Sequence, residues 1–422
     1  MPILLGCIAD DFTGATDLAS FLVASGMRTV QLIGVPTGPV DLDGADAVVI
    51  ALKTRTQKTD QAVAESLLAL QWLQQYQCEQ YYFKYCSTFD STADGNIGPI
   101  SDALLDALGE KFTIACPSLP INGRAVYNGY LFVNGVLLNE SGMQHHPLTP
   151  MTDANLVRVL DAQTRHSVGL VNHQVLDQGV EATGKAFGEL AKQGHHYAIV
   201  DTLNYDHLVT IGHAARDLKL LTGGSGLAVG LADNFAAKGL LTKKADSGAL
   251  SKVAGGIVLL SGSCSIATQE QVAQYRQDHP SLKVEPLKIN DGSQTADDIV
   301  AWYKEQSVSR PALIYATDTP EAIKAVQQQL GVDAAGTLVE GVMAEVVRQL
   351  AQAGIRKFIV AGGETSGSVV QALNISAIKI GQSIAPGVPL TESISAQPQL
   401  LALKSGNFGD RDFFAKAVEA ML

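Results

Sequence analysis

The sequence predicts an α/β protein of two domains, each with a largely parallel sheet flanked by helices. Short apolar runs of strand type alternate with stretches of helical period along almost the whole chain, as expected where strands are buried beneath helices on both faces. Residues 241–255 break the alternation with Gly, Ser and Lys and carry no apolar period, which marks a linker between domains at 1–240 and 256–422. A length of 422 residues also exceeds what one hydrophobic core usually serves.

The first domain opens on an apolar strand, Ile3–Ala9. Ala15, Leu18, Ala19, Leu22 and Val23 then recur at helical spacing until Gly26 stops the helix. Strands are expected at Thr29–Ile33, Ala47–Leu52, Tyr81–Tyr85 and Thr113–Cys116, with helices Gln61–Tyr76 and Ile100–Leu108 between them. Gly, Asn and Pro crowd 121–150, a composition of loops or a hairpin. Alternation resumes with Val168–Val171, Tyr197–Asp201, a helix near 208–218, and Leu231–Ala237.

The second domain restarts at strand Ile257–Ser261, followed by helix Gln269–Arg276, strand Lys283–Ile289, helix Ala296–Lys304 and strand Ala312–Ala316. Helices near Glu321–Leu330 and Val339–Ala353 lead to strand Lys357–Ala361 and a helix from Ser366. Strands Ala377–Ile380 and Leu400–Lys404 and a helix Asp412–Leu422 complete it. No internal repeat is visible.

Composition narrows the function. The net charge is −12, and Lys and Arg are scattered apart from Lys243-Lys244, so nucleic acid is not an expected partner. An anionic small molecule stays open, because a local cluster of cations can hold it in an acidic protein. No apolar stretch is long enough to span a membrane, and the N-terminus reads at once as a buried strand, so a cytoplasmic protein is expected. None of the five cysteines forms a C-x-x-C pair, and small buried thiols are a better reading than a disulfide or metal framework. The adjacent His145 and His146 lie in the Gly- and Pro-rich stretch and read as loop.

The chemistry-bearing residues follow the strands, where open α/β sheets bind ligands. The first strand ends at Asp10 and Asp11, candidate general bases or partners of sugar hydroxyls, with helix N-capping as the alternative for Asp11 and Asp90. Arg55 follows the strand at Ala47–Leu52, and Lys84 stands within the strand at Tyr81–Tyr85. Both suit a substrate carboxylate, and arginine can hold one through two bonds. Polar residues continue from Cys86 through Asp90, Ser91, Gly95 and Asn96. Gly223-Gly224-Ser225-Gly226 is a further small-residue loop with no basic neighbour in sequence.

In the second domain three small-residue loops follow strands: Ser261-Gly262-Ser263-Cys264-Ser265, Gly362 to Ser368, and Lys404 to Gly409. Glycines let backbone N–H groups approach phosphate closely, and the helices that follow present more of them. Gly362 and Gly367 have Walker-A spacing, but Ser368 stands where that motif needs Lys, so this is not a P-loop. Thr365 and Ser366 can cap the helix. Gly363 is expected to need φ above zero and to border the phosphates, so that valine there would block ATP.

The segments IADDFTGATDLA, FKYCSTFDSTADGNIGP, TGGSGL, LSGSCS, AGGETSGSVV and IAPGVP…LALKSGNFG occur in collinear order from Ile8 to Phe413. In them the chain resembles the four-carbon acid sugar kinases. The resemblance implies a sugar-acid-binding domain followed by a nucleotide-binding domain, with ATP and Mg²⁺ used to phosphorylate the terminal hydroxyl of a four-carbon sugar acid. It implies ATP contacts at Ser261, Gly363, Glu364, Thr365, Ser366 and Gly406; Ser263 and Gly362 of the same loops are further candidates, with Asp10 or Asp11 the candidate base and Arg55, Lys84, Asp90, Ser91 and Asn96 the candidates for the acid. Glu364 beside phosphate suggests Mg²⁺ or ribose, and the metal ligands stay unassigned. Many relatives carry Asp-Ser-Thr-Leu-Arg-Gly-Asn where this chain reads Asp90-Ser91-Thr92-Ala93-Asp94-Gly95-Asn96. The lost arginine points to the subgroup acting on a 3-oxo acid, with erythronate or threonate as the alternative. Two other classes stay open on the residues alone. A nicotinamide-dependent dehydrogenase would need the dinucleotide fingerprint, which is absent, and a non-catalytic two-lobed sensor of sugar acids would not need three small-residue loops. A homo-oligomer is compatible with the sequence.

Overall fold

The computed structural model describes residues 3–42, 44–146, 148–306 and 310–422. The chain divides into two compact units, Met1–Gly248 and Ala249–Leu422, and the division falls within the segment 241–255. Among the described residues no helix is long and apolar enough to cross a membrane.

The first unit is built on strands β1 (Leu5–Ala9), β2 (Thr29–Ile33), β3 (Ala47–Ala51), β4 (Gln80–Lys84), β5 (Thr113–Cys116), β9 (Val168–Val171), β10 (Tyr197–Val200) and β11 (Leu220–Gly223). They lie in the order β2-β3-β1-β4-β11-β5-β10-β9, and every one of these pairings is parallel. Both faces are covered, so Cys7, Val48, Val49, Tyr82, Phe83, Ile114 and Ile199 are all buried. β11 was not anticipated, because Leu-Leu-Thr-Gly is too short to show a period of two. Helix Tyr205–Ala214 starts earlier than the apolar period suggests, since the Asn204 side chain accepts from His207 N at 2.9 Å and caps it. Leu231–Ala237 is a helix.

The Gly- and Asn-rich stretch forms a three-stranded antiparallel sheet, β6 (Arg124–Tyr127), β7 (Tyr130–Val133) and β8 (Val136–Leu137). Asn128 and Gly129 turn the first hairpin at φ 50° and 77°. The buried Asp201 carboxylate accepts both their N–H groups, at 2.7 and 2.8 Å. His146 belongs to a local turn, its Nδ1 accepting from Thr149 N.

The second unit carries β12 (Ile257–Ser261), β13 (Ser281–Lys283), β14 (Ala312–Tyr315), β15 (Lys357–Ala361), β16 (Ala377–Ala385), β17 (Val388–Ser393) and β18 (Leu400–Lys404), in the order β13-β14-β12-β15-β18-β17-β16. The first five are parallel, and β17 and β16 join them through antiparallel pairings. Leu259, Ile359, Ala402, Phe413 and Phe414 form its core with helix Phe413–Met421.

Three expectations are corrected here. The strand expected over 283–289 ends at Lys283, because Pro286 occupies the first turn of a helix, Pro286–Asn290. The strand expected at Ala377–Ile380 runs on to Ala385, and β17, which was not anticipated, follows it. The helix after β15 begins at Gly363 rather than Ser366.

Register sets the functional ends level. Ala9 pairs with Ala51 and Lys84, and Lys84 with Gly223, so β1, β3, β4 and β11 deliver their following loops to one edge. In the second unit Ser261 pairs with Ala361, and Ala361 with Lys404.

Candidate active site

In the first unit Arg55 is the hub. Its Nε donates to Asp10 Oδ2 at 2.8 Å, and its Nη2 to Asp10 Oδ1 at 2.9 Å and to Asp11 Oδ1 at 2.8 Å. Its Nη1 faces Asp90 Oδ2 more loosely, at 3.6 Å. β1 and β3 are neighbours in the sheet, which brings residues 45 positions apart into bidentate contact. The guanidinium is held above its usual pKa, because Asp10 and Asp11 together outweigh the burial that opposes its charge.

The two adjacent aspartates have different surroundings. Asp10 is buried, and both its oxygens are spent on Arg55. Burial pushes its carboxyl up despite the arginine. Asp11 caps helix Phe12–Ala24 by accepting from Gly14 N at 3.0 Å. Burial would raise its pKa too, but Lys84, Arg55 and the Gly14 N–H more than offset that and hold it below the usual carboxylate range. The contacts of Asp11 with Gly14, Arg55 and Lys84 all meet Oδ1, and the Asp10 carboxyl lies within hydrogen-bond reach beside it. The Asp11 side chain is 32% exposed against 5% for Asp10.

Lys84 ends β4 and is 4% exposed. Its nearest carboxylate oxygen is Asp11 Oδ1 at 3.6 Å, and among the described residues its ammonium makes no shorter polar contact. Asp17, which sequence reasoning missed, lies one turn further along the helix. Burial raises its carboxyl, against a bond from Ser225 Oγ and the charge of Lys84. Thus the loop Gly223 to Gly226 does meet a basic residue in space. Its glycines serve close packing, since a Cβ on Gly224 would sit 2.4 Å from the Pro117 carbonyl oxygen.

Asp90 caps no helix. It accepts from Thr88 Oγ1 at 2.6 Å and sits at φ 29° beside Phe89 at 65°, two non-glycine residues in left-handed backbone. Ser91 and Asn96 line a small cavity with Asp10, Thr54, Arg55 and Asp90. Their polar atoms serve the scaffold. Ser91 Oγ accepts from Gln163, while the Asn96 amide donates to Thr54 O at 2.7 Å and Gln57 O at 2.9 Å and holds the loop that carries Arg55. Thr54, also missed, is fully buried, and its hydroxyl has no partner among the described residues.

In the second unit the three loops converge. A Cβ on Gly262 would lie 2.2 Å from Thr365 Oγ1, and one on Gly406 would lie 2.4 Å from Ser263 Oγ. Gly362 has φ 131°, and its Cβ would approach Ser263 N at 3.1 Å. These glycines hold the loops in contact. Gly363 differs from expectation: it is the first residue of the helix, its φ is not positive, and nothing lies within 4 Å of its Cβ position. Thr365 and Ser366 stand inside the first turns and do not cap the helix; Gly362 is the N-cap residue. Among the described residues Ser366 Oγ is buried without a hydrogen-bond partner, while Ser261 Oγ is bonded to Thr317 Oγ1 at 2.6 Å.

Beside these loops a cleft of about 450 Å³ is lined by Gly262, Cys264, Glu364 and Thr365 at one end and by Ile323, Val326 and Val339 on its apolar wall. Its size suits a nucleoside. Asp318 and Glu340 also line it, and among the described residues no lysine or arginine does. Among the described residues no group of three or more His, Cys, Asp or Glu could hold a metal ion.

Two family domains match the chain, a sugar-binding N-terminal domain over residues 5–231 and a nucleotide-binding C-terminal domain over residues 258–414. The chain is 57% identical over 418 residues to a 3-oxo-tetronate kinase of Pseudomonas fluorescens, covering 98% of this chain and 96% of that protein. A 3-oxo-tetronate kinase of Burkholderia multivorans is 53% identical, with 99% and 97% covered. A crystal structure from Salmonella typhimurium LT2, described as a putative tRNA synthase, superposes with a TM-score of 0.93 at 48% identity over 100% of both chains. Matches of this extent, across both domains, mean that the chain belongs to the four-carbon acid sugar kinase family.

Proposed function

We propose that the chain is an ATP-dependent kinase that phosphorylates the 4-hydroxyl of 3-oxo-tetronate, giving 3-oxo-tetronate 4-phosphate. The relatives are named 3-oxo-tetronate kinases, which supports the substrate and the reaction class. The observation that carries the reading on this chain's own residues is Lys84, a nearly buried ammonium that among the described residues meets no carboxylate closer than Asp11 Oδ1 at 3.6 Å, set beside that partly exposed carboxylate. An acid with hydroxyl groups supplies what both lack.

In this reading the first unit binds the acid. Lys84 Nζ and Arg55 Nη1 are the donors with capacity left, and they take the substrate carboxylate or an oxygen near it. Asp10 keeps Arg55 in place. Asp11, the more exposed of the two carboxylates and one that stays ionised at neutral pH, orients the 4-hydroxyl and accepts its proton. Asp90 braces the arginine, while Ser91 and Asn96 fix the loops around it.

The second unit binds ATP. The cradle of Gly262, Gly362 and Gly406, the unpaired Ser366 hydroxyl and the start of helix Gly363–Ala372 fit phosphate groups. The apolar wall fits a base. Mg²⁺ would come with the nucleotide, since it is held mostly by phosphates, waters and one or two carboxylates, and Asp318, Glu340 or Glu364 would supply these. It would neutralise phosphate charge. All five cysteines are free thiols, which suits a reducing cytoplasm.

The test is ADP release by the purified chain with 3-oxo-tetronate, erythronate and threonate in turn, with the product followed by phosphorus NMR. The expected result is the highest kcat/KM on the 3-oxo acid and a 4-phosphate product. ADP release with none of the three would overturn the proposal, and a preference for erythronate or threonate would replace its substrate.

A further inference from the structure

Lys404, the last residue of β18, is 1% exposed. Its ammonium donates to Thr268 Oγ1 at 2.9 Å, Ser405 O at 3.1 Å and Gly406 O at 2.9 Å, all of them neutral oxygens. The groups around it are uncharged: helix Ile266–Tyr275 presents Thr268, helix Phe413–Met421 presents the Phe413 ring at 5.8 Å, and its own loop presents carbonyls. Among the described residues no carboxylate pairs with it. A buried ammonium without a counter-ion is costly, and an apolar side chain at this strand end would pack without that cost. The bonds show what the charge does. The Gly406 carbonyl accepts from Lys404, from Ser265 Oγ at 2.6 Å and from Thr268 Oγ1 at 2.7 Å, so it is pinned inward. In a trans peptide the N–H points opposite to the C=O, so the N–H of Asn407 points outward, and it makes no hydrogen bond among the described residues. The same loop abuts Ser263, whose neighbours Gly262 and Cys264 line the cleft; among the described residues no lysine or arginine lines that cleft, and Lys283 beside it is spent on Asp318.

We propose that Lys404 is a positioning residue for the nucleotide: its buried ammonium clamps the loop Ser405–Phe408 so that the Asn407 N–H faces the phosphates, and its unpaired charge adds positive potential beside a cleft whose own lining is acidic. This rests on the reading of the second unit as the ATP site. Burial draws the ammonium down to about 8. A polyanion nearby favours the charged form and raises that pKa, so nucleotide binding at mildly alkaline pH takes up protons. A lysine that only supports the fold would not link proton uptake to nucleotide.

The experiment is calorimetric titration of the full chain with Mg²⁺ and a non-hydrolysable ATP analogue near pH 8, in buffers of different ionisation enthalpy. The wild type is expected to take up as much as about half a proton. Lys404→Met should abolish the uptake and weaken nucleotide affinity about tenfold or more, with the Michaelis constant for the acid within about twofold. Thr268→Val removes one acceptor from the ammonium and should move the uptake to lower pH, so it decides the matter if Lys404→Met does not fold. Wild-type binding with no proton uptake, or a folded Lys404→Met with wild-type affinity and uptake, overturns the proposal. Gly363→Val reports separately on the site: unchanged nucleotide affinity there would displace ATP from this cleft, whereas lost affinity there with no proton uptake in the wild type would sink the role of Lys404 alone.

Discussion

Lys84 leans on Gly14 so closely that a Cβ on the glycine would lie 1.8 Å from the lysine Nζ. The end of β4 and the first turn of helix Phe12–Ala24 therefore interlock through a missing side chain. The same Cβ would lie 2.3 Å from Asp11 Oδ1, the oxygen that caps the helix. Gly14→Ala should displace the ammonium and the carboxylate together. Both are ends of flexible side chains, and alanine favours the helix by about 1 kcal/mol, so the fold should survive. The expected outcome is a loss of about tenfold or more in kcat/KM for the acid with a melting temperature within a few degrees of wild type. Wild-type kinetics would show that the exact seat of Lys84 does not matter.

Lys84→Met should raise the Michaelis constant for the acid or lower turnover by about tenfold to a hundredfold, the worth of a charge-assisted hydrogen bond, with nucleotide binding nearly unchanged. Steady-state kinetics with each substrate varied, alongside a thermal melt, checks this. Because the ammonium is nearly buried and meets Asp11 only at 3.6 Å, its removal should change the melting temperature by no more than a few degrees. A collapsed melt would make Lys84 a structural residue.

Much of this site was legible in the sequence, because its residues follow strands and ligands gather there in open sheets. Asp10, Asp11, Arg55, Lys84 and Asp90 do meet, and β1, β3 and β4 put them side by side. What they do to one another was not legible. Arg55 reads in sequence as a free cation for substrate, yet most of its donors are spent on two aspartates. Asn96 reads as a ligand residue, yet its amide holds backbone carbonyls. Thr54 and Asp17 gave no signal, since only folding isolates the one in a cavity and sets the other beside Ser225. Lys404 stood in a quoted motif, but that its charge would be buried against neutral oxygens could not be read from neighbours in the chain. In the fold, β11 and β17 were missed for want of a period, and Pro286 ended a strand by starting a helix.

The splitting of the aspartate pair has a pH signature. Asp11 is held below its unfolded pKa by Lys84, Arg55 and the Gly14 N–H, which outweigh burial. Its ionised form therefore stabilises the fold above the ordinary carboxylate range, and that contribution is lost as pH falls through the depressed value. Wild type should be more stable than Asp11→Asn at neutral pH, and the gap should close as pH falls below about 4. Denaturant melts of both proteins across this range measure it. A gap that stays constant with pH would mean that the Asp11 charge contributes nothing and that only its capping bond counts.

Gly362 and Gly363 are neighbours with different constraints. Gly362 holds φ 131°, which side-chain-bearing residues rarely adopt, and a Cβ there would press on Thr365 Oγ1 and Ser263 N at 3.0 and 3.1 Å. Gly362→Ala should therefore strain the junction of β15 and its helix and lower the melting temperature, and with it every activity. Gly363 has an ordinary φ and open space at its Cβ position, so Gly363→Val should fold and melt close to wild type. That open space adjoins the first free N–H groups of helix Gly363–Ala372, the ones proposed to meet phosphate. Valine there should raise the Michaelis constant for ATP by about tenfold or more while leaving the acid's constant unchanged. Melts and kinetics on the two variants separate backbone strain from lost ligand space. If Gly363→Val keeps the wild-type constant for ATP, the phosphates do not lie against this turn; if Gly362→Ala melts like wild type, its left-handed backbone carries no strain.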